Sequence, residues 1–182
     1  MPVIVSMLRA VNVGGRNKIK MEDLKALYVS LKLRDVQTFI QSGNVVFRTD
    51  DKDLVKLAER IEKAIEKRFG FRPPVILRTA EEMRGVVARN PFAKRKDLDP
   101  RRLLVVFLAA EPDREGSKKV SALQTKPEEL RISGREVFIY FPDGMGRTKL
   151  PWTTIDKMLK TVGTARNCNS VNKLLSLSEK LE

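Results

Sequence analysis

Histidine is absent from the sequence. That removes every route needing an imidazole: a Ser-His-Asp or Cys-His pair, a histidine general base, a histidine metal site and a charge switch near neutral pH. Cysteine is almost as scarce, with Cys168 alone. One thiol closes no internal disulfide, so a reducing compartment and a cytoplasmic localisation are expected. No apolar run approaches the roughly 20 residues needed to cross a bilayer. The N-terminus enters a strand-like run without the charged segment and long apolar stretch of a signal peptide, and none is expected. Acidic residues are outnumbered, 23 Asp and Glu against 36 Lys and Arg, for a net charge of +13. Such an excess attracts polyanions, nucleic acid or phosphorylated small molecules among them. A solubilising surface gives the same number without a partner.

What is present is enough for a folded core. At 182 residues, 42% of them hydrophobic and 32% charged, the chain suits a globular protein of one fused core or two small domains. Val3–Leu8 is an apolar run of strand length. Met21, Leu24, Leu27, Tyr28 and Leu31 recur at helical spacing, with Glu22 and Asp23 placed for a first turn. Residues 36–41 and 44–48 read as strands around the turn Ser42-Gly43. Asp50 or Asp51 is the expected cap of a second helix buried through Leu54, Leu57, Ala58, Ile61, Ile65 and Phe69 and stopped by Gly70. Residues 75–77 form the next strand. Thr79-Ala80-Glu81-Glu82 is a capping-box pattern that opens a short helix ending before Pro91.

A polar connector at 90–102 leads to an apolar strand at 103–110 and a helix expected at 117–124. Strands at 130–132 and 136–141 flank Ser133-Gly134-Arg135. A helix follows Pro151, with Gly163 just past its end, and Ser170 is the expected cap of a last helix. The order βαββαβ followed by βαββα and a further helix predicts an α+β fold. It is read as a tandem duplication of two ferredoxin-like units with antiparallel sheets, divided as 1–78 and 79–182, the second ending in extra helices.

Three loops concentrate polar chemistry. Gly14-Gly15-Arg16 is followed by Lys18 and Lys20 before a helix; adjacent glycines let backbone N–H groups form an anion-binding concavity, and arginine adds a planar fork. Gly144-Met145-Gly146-Arg147-Thr148-Lys149 repeats that composition. Thr164-Ala165-Arg166-Asn167-Cys168-Asn169-Ser170 packs hydrogen-bonding groups before a helix, in a stretch without an acid from Lys157 to Ser178. Neither glycine loop fits the P-loop or dinucleotide fingerprint. The expected ligand-binding set is Arg9, Asn12, Gly14, Gly15, Arg16, Lys18, Gln41, Ser42, Asn44, Gly144, Gly146, Arg147, Lys149, Arg166 and Asn167. No metal site, cofactor or catalytic residue is assigned. The strand aromatics Phe39, Phe47, Phe107, Phe138 and Tyr140 have bulky apolar neighbours, which points to core rather than to an RNA-stacking sheet.

Four segments together carry a family resemblance. They are Leu8-Arg9-Ala10-Val11-Asn12-Val13-Gly14-Gly15-Arg16-Asn17-Lys18, Phe39-Ile40-Gln41-Ser42-Gly43-Asn44-Val45-Val46-Phe47, Gly144-Met145-Gly146-Arg147-Thr148-Lys149-Leu150 and Thr164-Ala165-Arg166-Asn167. The set resembles the DUF1697 family from first strand to last helix. The resemblance implies a tandem of ferredoxin-like units and carries no established activity. Relatives typically have Gly at the position of Ala10 and Trp at that of Cys168, and the second departure argues against a cysteine nucleophile. Three functions stay open: binding of a phosphate-bearing ligand or nucleic acid, an enzyme on a phosphorylated or carboxylated substrate without histidine chemistry, and a basic protein–protein interaction module.

Overall fold

The computed structural model describes all residues, Met1–Glu182. Packing divides them into two units, Met1–Arg84 with Lys173–Glu182, and Gly85–Asn172. In the first, β1 (Val3–Leu8), α1 (Met21–Ser30), β2 (Arg34–Phe39), β3 (Asn44–Arg48), α2 (Leu54–Phe69) and β4 (Val75–Thr79) make an antiparallel sheet of order β2-β3-β1-β4 with two helices. A third helix, α3 (Ala80–Ala88), leads to a one-turn 3-10 helix at Pro100–Arg102. The second unit holds β5 (Leu103–Leu108), α4 (Arg114–Ser121), β6 (Glu129–Ser133), β7 (Glu136–Tyr140), α5 (Trp152–Leu159) and β8 (Gly163–Asn167), in the order β6-β7-β5-β8. The chain closes with α6 (Cys168–Leu181). The far end of α6 belongs to the first unit because charge ties it there. Arg84 pairs with Glu179 and Glu182, and the Arg48 guanidinium donates to the Leu181 carbonyl.

One face of each sheet takes its own helices. Leu24, Leu27 and Tyr28 from α1 and Leu57, Ile61 and Ile65 from α2 cover Ile4, Leu8, Val45 and Phe47. Val120 from α4 and Ile155 and Leu159 from α5 do the same over Leu104, Leu108, Val137 and Ile139. The Tyr28 hydroxyl sits 2.8 Å from Ser6 Oγ, so neither buried hydroxyl lacks a partner. Burial, opposed in part by that bond, pushes the Tyr28 phenol well up. The other sheet face is buried too. All six positions of β1 and all five of β7 are inaccessible, where a solvent-facing sheet would alternate. Phe47, Phe107 and Phe138 are fully buried and Tyr140 nearly so, and Phe39 in the edge strand β2 is the one half-buried ring of the sheets.

The two sheets repeat each other bond for bond. Val5 faces Arg78 as Val105 faces Arg166; Ile4 faces Thr79 as Leu104 faces Asn167; Met7 faces Asn44 as Phe107 faces Glu136. The Leu8 amide donates to the Gly43 carbonyl at 3.0 Å, and the Leu108 amide to that of Arg135 at 2.8 Å. Arg9 donates to Pro74 at 3.0 Å as Ala109 does to Val162 at 2.8 Å. The helix caps repeat as well. Thr79 Oγ1 accepts from the Glu82 amide while Glu82 accepts from the Thr79 amide, and Asn167 Oδ1 accepts from the Ser170 amide at 2.8 Å.

Several element boundaries differ from the sequence reading. Asp53, not Asp50 or Asp51, caps α2 by accepting from the Lys56 amide at 3.1 Å, while Asp51 pairs with Arg60 at 2.7 Å. Helix α4 begins at Arg114 rather than near residue 117, because Asp113 Oδ1 accepts from the Gly116 amide and starts the helix earlier. Residues 163–167 form a strand, so Gly163 opens β8 instead of stopping α5, which ends at Lys160 in a left-handed cap. Asn167 rather than Ser170 caps the last helix.

Candidate functional site

The loop 9–20 is shaped by its asparagines and glycines. Ala10, Asn12, Gly14, Gly15 and Asn17 all have positive φ. Asn12 answers most of the backbone demand: its Oδ1 accepts from the Ile19 amide at 2.9 Å, and its Nδ2 donates to the carbonyls of Ile19 at 2.9 Å and Gln41 at 2.7 Å. Asn17 Nδ2 donates to the Ala10 carbonyl at 3.2 Å. Gly14 and Gly15, φ 58° and 74°, form a two-residue hairpin tip closed by the Arg16 amide on the Val13 carbonyl at 3.0 Å. Both central residues at positive φ match the primed turn that follows strand twist, a conformation in which a side chain is strained. The glycine pair is therefore a hairpin tip standing ahead of α1, not the first turn of that helix.

The β2–β3 turn abuts this loop. Asn44, fully buried, donates to the Phe39 carbonyl at 3.1 Å and to Ser42 Oγ at 2.9 Å, bracing the turn. A Cβ on Gly43 would sit 2.9 Å from Leu8 Cβ, so only glycine lets the turn approach β1 this closely. Loop and turn enclose a depression of about 590 Å³ lined by Asn12, Gly15, Lys18, Ile19, Lys20, Asp23, Gln41 and Phe69. Four of the expected residues meet there: Asn12, Gly15, Lys18 and Gln41. Phe69 is the addition that sequence reading did not make. As the last apolar residue of the α2 stripe it read as core, yet it is only half-buried and reaches the depression.

The charges around the depression are uneven. Asp23 faces Arg68 at 3.5 Å, and the Arg68 guanidinium lies 5.5 Å from the centre of the Phe69 ring. Elsewhere in the unit Arg72 meets Glu62 at 3.0 Å and Arg48 meets Asp35 at 3.6 Å. Arg16, Lys18 and Lys20 are exposed and make no ion pair. The loop thus carries three cations without a carboxylate partner, and the one acid lining the depression, Asp23, is engaged by Arg68.

The second glycine loop has a different place in the repeat. It leaves β7, the counterpart of β3, whereas the first leaves β1; the two strands run antiparallel, so the loops belong to opposite ends of the repeated sheet. Within it Gly144 has φ 82°, Met145–Arg147 makes one 3-10 turn, and Arg147 and Lys149 are exposed. Arg166 lies inside β8 at 7% exposure, donating to Thr164 Oγ1 at 2.9 Å and the Ala165 carbonyl at 2.8 Å. Burial pushes its guanidinium down to about 10. Arg78, its counterpart in β4, is 1% exposed and donates likewise to the Leu77 carbonyl at 3.0 Å. Burial also pushes the Cys168 thiol up, only partly offset by the Asn172 amide, the reverse of what a nucleophilic thiolate needs. No group of three or more Asp, Glu or Cys side chains is placed to hold a metal ion.

A family model described as "Protein of unknown function (DUF1697)" matches residues 1–138. The chain belongs to the DUF1697 family. That match contains the 9–20 loop and the β2–β3 turn, the two walls of the depression. The chain is also similar to a solved structure described as that of conserved bacterial protein SP0830 from Streptococcus pneumoniae. Identity is 23%, the match covers 97% of this chain and 98% of that one, and the TM-score is 0.77. At that identity the likeness speaks for the fold, and it extends over both units of the chain. No curated protein matches the chain. No helix is long and apolar enough to cross a membrane.

Alanine at position 10, where the family resemblance implies glycine, has a measurable consequence. Ala10 is exposed and holds φ 55°, the left-handed region that costs a residue with a Cβ about 1–2 kcal/mol. Part of that is offset because glycine gains more freedom on unfolding. Ala10→Gly should therefore raise stability by about 1 kcal/mol, read as a higher denaturation midpoint at unchanged slope. A lower midpoint would mean that the loop does not hold this conformation.

Proposed function

We propose that each unit is a ferredoxin-like fold and that the first binds a phosphate-bearing ligand in the depression between the 9–20 loop and the β2–β3 turn. The strand order, with all neighbours antiparallel and two helices on one face, supports the fold assignment. The observation that carries the binding reading is the set Arg16, Lys18 and Lys20, which makes no ion pair, beside a concave surface whose one acid, Asp23, is already engaged by Arg68. Arg16 offers two parallel donors to a phosphate, and the lysines add point charges. Gly14 and Gly15 leave open space at the hairpin tip, so a ligand can approach the backbone there. Asn12, Ser42, Gly43 and Asn44 hold the walls, and Gln41 and Phe69 line them. The net charge of +13 would speed the encounter with an anion at low salt.

Thermal unfolding in the presence of inorganic phosphate, sugar phosphates and nucleotides tests this reading. A ligand at 100 times its dissociation constant stabilises by about 2.7 kcal/mol, well within detection. The triple substitution Arg16→Ala, Lys18→Ala, Lys20→Ala should abolish that gain while leaving the unliganded stability within about 0.5 kcal/mol, since all three side chains are exposed. A gain that survives the triple substitution, or no gain from any phosphate compound at low salt, would sink it.

A further inference from the structure

We infer that the segment 141–152 of the second unit is a contact site for single-stranded nucleic acid, with Trp152 stacking on an unpaired base and Arg102, Arg147 and Lys149 taking the flanking phosphates. The inference is independent of the phosphate pocket in the first unit.

The strands β1 and β7 are buried at every position, so a base cannot stack on them as it does on the central strands of an RNA-binding sheet. Trp152, the only tryptophan in the chain, is 37% exposed at the start of α5. It packs in a tilted arrangement against the buried Phe141 ring, centroids 6.2 Å apart and planes inclined by 36°. A large ring held by a buried aromatic neighbour and still more than a third exposed offers stacking area with less freedom to lose on binding than an unsupported side chain. The segment before it is pinned by its own backbone bonds. The Phe141 amide donates to the Arg102 carbonyl at 3.0 Å, the Gly144 amide to Phe141 at 3.0 Å, and the Trp152 amide to Leu150 at 2.9 Å.

Charge decides the class of partner. The Arg102 guanidinium donates to the Pro142 carbonyl, which fixes a cation at the base of the segment. Arg147 and Lys149 are exposed and make no ion pair, and from 141 to 155 the only acid is Asp143. A Cβ at Gly144 or Gly146 would meet nothing within 4 Å, so a strand can approach the backbone beside them. A broad apolar face suited to protein or lipid is lacking: beside Trp152 the segment exposes only Met145 and Pro151 among its apolar side chains. One open ring flanked by cations fits a chain of alternating bases and phosphates. The base has to be unpaired, because in a duplex its face is already covered by its neighbours.

The single tryptophan makes the site separately observable. Titration with an oligothymidylate of about ten nucleotides should quench the intrinsic fluorescence, with a log–log salt slope of about −2 if three phosphates are contacted. A duplex of equal length should bind far more weakly. Trp152→Ala should weaken binding of a dye-labelled strand about tenfold or more, and Trp152→Phe should restore most of it. Arg147→Ala with Lys149→Ala should flatten the salt slope by about 1.4. Thermal midpoints of each variant separate lost contact from lost folding. Equal affinity for duplex, wild-type binding by Trp152→Ala, or an unchanged salt slope after removing both cations would overturn the inference. Binding lost with Arg16, Lys18 and Lys20 instead would move the strand to the first unit and overturn this site while leaving the pocket reading intact.

Discussion

Gly116→Ala should destabilise the second unit by about 3 kcal/mol, at the upper end of what overpacking usually costs. The added Cβ would stand well inside contact distance of the Met158 carbonyl oxygen, 3.2 Å from that carbonyl carbon and 3.0 Å from Asp113 Oδ1. None of these can swing aside cheaply. The Met158 carbonyl belongs to the last turn of α5, which Ile155 and Leu159 anchor in the core. Asp113 Oδ1 is the cap of α4 and accepts from the Gly116 amide at 2.5 Å. Relief requires α4 to move away from α5, loosening Val120, or the cap to break, at about 1 kcal/mol. Alanine is the better helix former by about 1 kcal/mol, which offsets only part of the clash. Gly146→Ala adds the same methyl into open space and should stay within about 0.5 kcal/mol of wild type. Denaturant unfolding followed by Trp152 fluorescence reads the second unit directly. A Gly116→Ala midpoint equal to that of Gly146→Ala would mean that α4 and α5 are not this close.

The first glycine loop, the capping box at Thr79 and the α2 stripe were legible because each is set by neighbours along the chain. Burial of Leu57, Ile61 and Ile65 follows directly from their spacing. Strand β8 was not legible. Gly163-Thr164-Ala165-Arg166-Asn167 has neither an apolar run nor an apolar alternation, and it becomes a strand because β5 offers it an edge. Gly163 tells the same story: its Cβ would lie 2.9 Å from Val106 Cγ1, so its role as a close-packing residue exists only once the strands are paired, and alone it reads as a helix stop. The burial of Arg166, read as a ligand-binding residue, and of its counterpart Arg78 was not legible for a related reason. A charged residue is ordinarily a strand end or a surface ligand, and only tertiary packing buries it. The candidate site divides similarly. The cations of the 9–20 loop could be read from composition, whereas Phe69 joins them through a contact between segments that lie far apart in sequence. The expected kinship of the two glycine loops came from shared composition, and strand register gives them different places in the repeat.

The repeat also singles out Glu136. Its counterpart Asn44 is a neutral amide that donates within its own turn, to the Phe39 carbonyl and Ser42 Oγ. Glu136 puts a carboxylate at the same position, 1% exposed, and Arg89 from beyond α3 pairs with it. Removing one partner of a buried pair leaves a charge that water cannot reach, at a cost of about 3–5 kcal/mol. The Arg89 side chain is 41% exposed, so solvent screens its end of the pair, and about 2 kcal/mol is the better expectation for Arg89→Ala. The cost should come from weaker compensation of the buried carboxylate rather than from lost contacts of Arg89. Glu136→Gln in the Arg89→Ala background should therefore recover more than half of the loss, although Glu136→Gln alone is destabilising. A double-mutant cycle by denaturant unfolding gives the coupling directly, expected at 1 kcal/mol or more. Additive single losses would show that the pair is a surface contact, and that the second sheet tolerates an acid where the first has an amide for reasons other than Arg89.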